Sequence, residues 1–80
     1  MQATDDQIAD KVNLVLRGYP TQGVELPLLI TITKVLLHDD GLKAARVEVE
    51  AVIERMEVVK RRRKGVERYF QPATVAPRIV

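Results

Sequence analysis

Eighty residues, 46% of them hydrophobic and 30% charged, are enough for one domain with a modest core, and that balance excludes a chain disordered throughout. Cysteine does not occur, which excludes a disulfide framework, a thiolate metal site and a thiol nucleophile. Net charge is only +2, yet residues 1–40 carry three bases against six acids and residues 58–80 carry seven bases against Glu67 alone, a polarity able to steer an anionic partner.

In chain order, Met1 to Thr4 reads as a frayed lead, followed by Asp5 or Asp6 as a helix cap whose charge suits the positive end of the dipole. Ile8, Val12, Val15 and Leu16 recur at helical spacing, and Gly18 with Tyr19-Pro20 stops the helix, which therefore covers about residues 6–17. Residues 19–26 form a connector, punctuated by Gly23. Within it Val24-Glu25-Leu26 is a short extended piece able to join a hairpin as a third strand.

After Pro27 two readings compete. Leu28, Ile32, Val35 and Leu36 fit a helical stripe opened by the proline, whereas Ile30-Thr31-Ile32-Thr33 alternates like a strand. The helix is the reading adopted. Its apolar character on nearly all sides implies a central element, or a side that meets a second subunit. His38 to Gly41 is then a turn, and Leu42, Ala45, Val49, Val52, Ile53 and Met56 make one stripe of a helix over residues 42–56.

Residues 56–71 read as a β-hairpin with a cationic tip. Two runs, Val58 to Arg62 and Val66 to Phe70, flank a Lys64-Gly65 turn, which pairs Arg63 with Val66, Arg62 with Glu67, Lys60 with Tyr69 and Val59 with Phe70. Opposed residues share a face, so Val59, Val66 and Phe70 are expected against the core. Lys60, Arg62, Glu67 and Tyr69 are then expected toward a polyanion. Residues 72–80, with Pro72 and Pro77, are expected to run extended or disordered.

The run Val52 to Phe70, an apolar helix end followed by a strand, an Arg/Lys-rich turn with Gly and an aromatic-ended return strand, resembles the recognition-helix end and wing of a winged helix-turn-helix domain. The likeness is to small bacterial and archaeal regulators of the ArsR and MarR type. It spans roughly residues 6–70 and is to a superfamily pattern. Two features depart from it: Met56-Glu57-Val58 runs straight on where a Glu-Ala-Gly-Leu type turn is common, and the presumed recognition helix is rich in Glu.

The resemblance implies an α+β fold of three helices with a small two- or three-stranded antiparallel sheet, a domain over residues 5–71, and double-stranded DNA as partner. Lys43 and Arg46 would approach base edges, and Lys60, Arg61, Arg62, Arg63 and Lys64 would meet phosphates or the minor groove. On charge alone Arg68 joins that phosphate-binding set. A homodimer and an intracellular, cytoplasmic location are expected, with no membrane span, no cofactor and no metal site; His38 beside Asp39 and Asp40 offers too few ligands. Catalysis is not expected, since the chain holds no Ser-His-Asp constellation and no phosphate loop.

Other readings stand beside these. The basic run is also explained as a solvated edge that blocks aggregation, or as the end of a long helix through Lys64. Tyr69 is explained equally by base stacking and by a place at the core rim. Glu48, Glu50, Glu54 and Glu57 would suit docking to a transcription or replication protein. An RNA-binding α+β domain would follow if residues 28–37 were a strand.

Overall fold

A computed structural model describes residues 1–71, so the expected tail over 72–80 lies outside the described residues. The order is α1 (Asp5–Arg17), α2 (Leu26–Asp39), α3 (Arg46–Arg55), β1 (Val59–Arg63) and β2 (Val66–Phe70). This α+β arrangement, three helices and then a two-stranded antiparallel sheet, is the expected fold class and is compatible with a winged helix-turn-helix.

α1 starts one residue earlier than predicted, because the cap is Thr4 and not an aspartate. The Thr4 hydroxyl accepts from the Gln7 amide at 3.2 Å and Gln7 Oε1 accepts from the Thr4 amide at 2.9 Å, which satisfies two free donors reciprocally. Asp5 and Asp6 occupy the first turn, where their charge faces the dipole. Ile8, Val12, Val15 and Leu16 are all buried, as their spacing requires.

Residues 26–39 are a helix, so the strand alternative for 28–37 is overturned together with the RNA-binding arrangement built on it. Pro27 sits in the first turn, where its missing amide costs nothing. Leu29, Ile30, Thr33 and Leu37 face the core. The Gly41 amide donates to the His38 carbonyl and the Leu42 amide to the Leu37 carbonyl, both at 2.9 Å, with Gly41 at φ 75°. This is a Schellman closure, and its apolar pair is Leu37 with Leu42, both buried.

That closure explains why the third helix is shorter than its stripe. Leu42 is buried, as predicted, but from an extended segment. Lys43 donates its amide to Met1 and accepts from Ala3, each at 2.8 Å, in a parallel bridge centred on Gln2. The lead is therefore not frayed: Ala3 is buried, and Gln2 Nε2 donates to both carboxylate oxygens of Glu48, at 2.8 and 3.0 Å. Glu48 also accepts from the Ala45 amide at 2.7 Å, half of a capping box, and α3 begins at Arg46. The Ala45 amide, and after it Gln2, hold the Glu48 carboxyl below its ordinary range.

The core is one cluster: Ile8, Val12 and Leu16 of α1, Leu29 and Leu37 of α2, Val49 and Ile53 of α3, with Val24 and Tyr69 joining from the connector and β2. Thr33 lies fully buried within it, and among the described residues its hydroxyl has no hydrogen-bond partner. Thr33→Val should therefore raise stability by about 1 kcal/mol in denaturant unfolding, because a desolvated, unpaired hydroxyl is removed.

Two glycines allow a matched comparison. Gly41 and Gly23 have nearly the same φ, 75° and 72°, but a Cβ at Gly41 would meet nothing, whereas one at Gly23 would lie 2.7 Å from Phe70 Cζ and 3.0 Å from Arg68 Cβ. Gly41→Ala should cost about 1 kcal/mol for the left-handed backbone alone. Gly23→Ala should cost roughly 1–3 kcal/mol more, and equal losses would mean that the Phe70 ring is not held against the connector.

Candidate nucleic-acid interface

β1 and β2 pair as Val59 with Phe70, Lys60 with Tyr69, Arg61 with Arg68, Arg62 with Glu67 and Arg63 with Val66, the predicted register throughout. Lys64 and Gly65 have φ of 52° and 79°, the two left-handed residues that a tight type I′ turn requires. The reading of this segment as a continuous helix is thereby excluded.

Burial divides the hairpin along its length. Residues 60–67 are all exposed, while Val58, Val59, Arg68, Tyr69 and Phe70 at the base are covered in whole or part. The expected division between faces is corrected accordingly. Tyr69, expected on the polyanion side, is buried in the core, and its amide and carbonyl pair with Val24 at 2.8 and 3.0 Å. Phe70 and Val59 are half-buried on the other face, beside Pro20 and Thr21 of the connector. The third strand is thus a single bridge at Val24, since Glu25 already caps α2.

The two faces differ in their acids. On the Tyr69 side, burial raises the phenol pKa, and the charges of Glu67, Glu54 and Glu50 raise it further. Lys60, whose Nζ is 5.7 Å from the Tyr69 ring centroid, and Arg62, opposite Glu67, therefore share their surroundings with carboxylates. The other face carries Arg61, Arg63 and Arg68. Arg68 reaches Glu25 at 3.8 Å, and among the described residues Arg61, Arg62, Arg63 and Lys64 form no ion pair. Arg61 directly opposes Arg68, an arrangement of like charges that weakens a sheet.

Two clefts flank this second face. One, of about 370 Å³, is lined by Gln22, Arg63, Lys64, Val66 and Arg68. The other, of about 330 Å³, is lined by Pro20, Thr21, Val59, Arg61, Arg63, Phe70 and Gln71. Sequence reasoning missed the connector residues as walls of this surface. The available signal was Gly23, whose lack of a side chain admits Phe70.

The remaining candidates are elsewhere. Arg46 is the first residue of α3 and is exposed; Lys43 is exposed but precedes the helix, in the bridge to Gln2. The outward stripe of α3 is Val47, Glu50, Ala51 and Glu54, with Val47 70% exposed, so the helix presents acids and methyl groups, in keeping with an exposed side expected to be basic only near its start and acidic further along. Among the described residues no helix is long and apolar enough to cross a membrane.

No family model matches the chain, and neither a curated protein nor a solved structure matches it.

Because Tyr69 ionises less readily when folded, its contribution to stability is intact below the ordinary tyrosine value of about 10 and is lost as pH rises through the folded value. In a Tyr19→Phe background, absorbance titration should show Tyr69 ionising above pH 10, and Glu50→Gln with Glu54→Gln should bring it down. Titration at the free-tyrosine position in both proteins would contradict the burial of Tyr69 on the side of the Glu50 and Glu54 carboxylates.

Proposed function

We propose that this chain binds double-stranded DNA, without catalysis, through the hairpin 59–70. The observation that carries the reading is the direct opposition of Arg61 and Arg68 on a hairpin face that also holds Arg63, with Arg61 and Arg63 both exposed. Like charges across a ladder oppose folding, so an anionic partner is what such an arrangement favours. Alternate residues on a strand are separated by about 7 Å, which sets Arg61 and Arg63 as two successive guanidinium forks along one edge of a polyanion. A narrow minor groove or a phosphate row accepts forks of this kind.

This role suits a small regulator or nucleoid-type protein, cytoplasmic in a cell without a nucleus. Affinity would come from Arg61, Arg63, Lys64 and Arg68, with Lys60 and Arg62 weakened by Glu67 and the α3 acids. Arg46 and Lys43 would add phosphate contacts. Base reading by the α3 stripe is disfavoured, because Glu50 and Glu54 would face phosphates of their own sign. That same stripe favours a second reading, in which α3 docks a cationic protein surface while the hairpin holds the nucleic acid.

Arg61→Ala with Arg63→Ala should lower affinity for random duplex DNA at least tenfold and reduce the log-log salt slope by about 2, since each contact contributes roughly 0.9. Thermal stability should not fall and should rise slightly, because both side chains are exposed and Arg61→Ala removes the repulsion across from Arg68. Lys60→Ala with Arg62→Ala should cost less. Unchanged affinity and slope in the Arg61/Arg63 variant would refute duplex binding by this face.

A further inference from the structure

α2 carries a second surface that folding does not explain. Leu28 is 48% exposed and Val35 54% exposed, seven residues apart on the side away from the core, with Thr31 exposed and Ile32 half-buried between them. The Thr31 hydroxyl donates to the Pro27 carbonyl at 2.9 Å, so it turns its hydrogen-bonding capacity back into the helix and offers a methyl group outward. Two β-branched residues at exposed helical positions, Thr31 and Val35, lose rotamer freedom yet leave much of their surface uncovered in the monomer. From Leu26 to Thr33 no residue is charged.

We propose that this stripe is the interface with a second copy of the chain, packed antiparallel about a two-fold axis that passes between Thr31 and Ile32. In that register Leu28 faces Val35 of the second copy and Thr31 faces Ile32, so a self-complementary patch meets itself without any charge at its centre. The ends also match. In that register Glu25 faces the neutral His38 and Asp39 of the second copy faces Val24, so Arg68, 3.8 Å from Glu25, is the cation brought toward two carboxylates at each end. Beside Leu28 a cleft of about 330 Å³, lined by Tyr19, Val24, Glu25 and Arg68 among others, lies where the second copy's Asp39 turn arrives. A basic or acidic partner would find no counter-charge along the stripe, which is why a second copy fits better than a charged peptide. One helix face is small beside the ~1,600 Å² of a standard interface, so the association is weak in dilute solution.

The inference stands apart from duplex binding and is tested without DNA. The chain has no cysteine of its own, so introduced thiols report alone. At the proposed axis, Thr31 is offset from its symmetry mate by about 1.5 Å along the helix, whereas Leu28 is offset from its mate by about 10 Å. Under a thiol oxidant at high protein concentration, Thr31→Cys should form a covalent dimer. A mixture of Leu28→Cys and Val35→Cys should do so too, while each of these alone should stay at the background set by Ala51→Cys on α3. Adding Val35→Glu to Thr31→Cys should lower the yield at least fivefold, with circular dichroism unchanged to show that the fold persists. Cross-linking of Thr31→Cys no better than Ala51→Cys, or of Leu28→Cys alone as well as in the mixture, would overturn the proposal.

Discussion

Two backbone hydrogen bonds between Val24 and Tyr69 hold the hairpin to the helices, and the rest of the surface follows from them. A two-stranded hairpin is marginal in water, and this one has a cationic tip that repels itself. The bridge gives β2 a partner on its second edge, and the same residue sends its ring into the core, 4% exposed. Backbone pairing and side-chain burial at one position therefore fix both the height and the rotation of the hairpin. Once Tyr69 points inward, Arg61, Arg63 and Arg68 must point the other way, because the pleat leaves no alternative.

The helices are shaped by the same need to anchor ends. Thr4 and Gln7 close the start of α1, Gly41 closes the end of α2, and Glu48 closes the start of α3 while gripping Gln2. Arg55 reaches back to Asp5 at 2.7 Å, joining the end of α3 to the start of α1, although both side chains are well exposed and the pair adds little by itself. Most of the acids are thus committed to caps, to turns or to the α3 side. Among the described residues, Glu25 is the one carboxylate in contact with a cation of the connector face of the hairpin.

Local chemistry was legible in the sequence; contacts between distant segments were not. The Lys64-Gly65 pair set the hairpin register residue by residue, because a two-residue turn leaves one way to pair the flanks. The apolar period of residues 8–16 likewise placed α1. The extended stretch at Lys43 escaped, since Leu42 and Ala45 continue the α3 stripe, and the Gly41 closure together with pairing to Met1 and Ala3, forty residues away, draws them off the helix. The inward face of the hairpin escaped for a related reason. Val59, Val66 and Phe70 look like the apolar side, but the partner that decides the matter is Val24, and a lone bridge leaves no periodic trace. The connector walls at Pro20 to Gln22 were hidden in the same way.

The features surplus to folding lie on separate parts of the molecule and differ in kind. The hairpin tip holds charge that costs sheet stability, and α2 holds apolar area that costs helix propensity and solubility. Selection for a stable monomer alone would remove both, by an acid opposite Arg61 and a lysine at Val35. Their coexistence is consistent with an assembly in which each is covered by a different partner. An isologous contact through α2 would generate two hairpins related by a two-fold axis, and duplex DNA has local two-fold axes of its own between its strands. A weak protein contact would suffice in that setting, because each copy bound to the same duplex would raise the effective concentration of the other, and affinity would then depend on geometry more than on contact area.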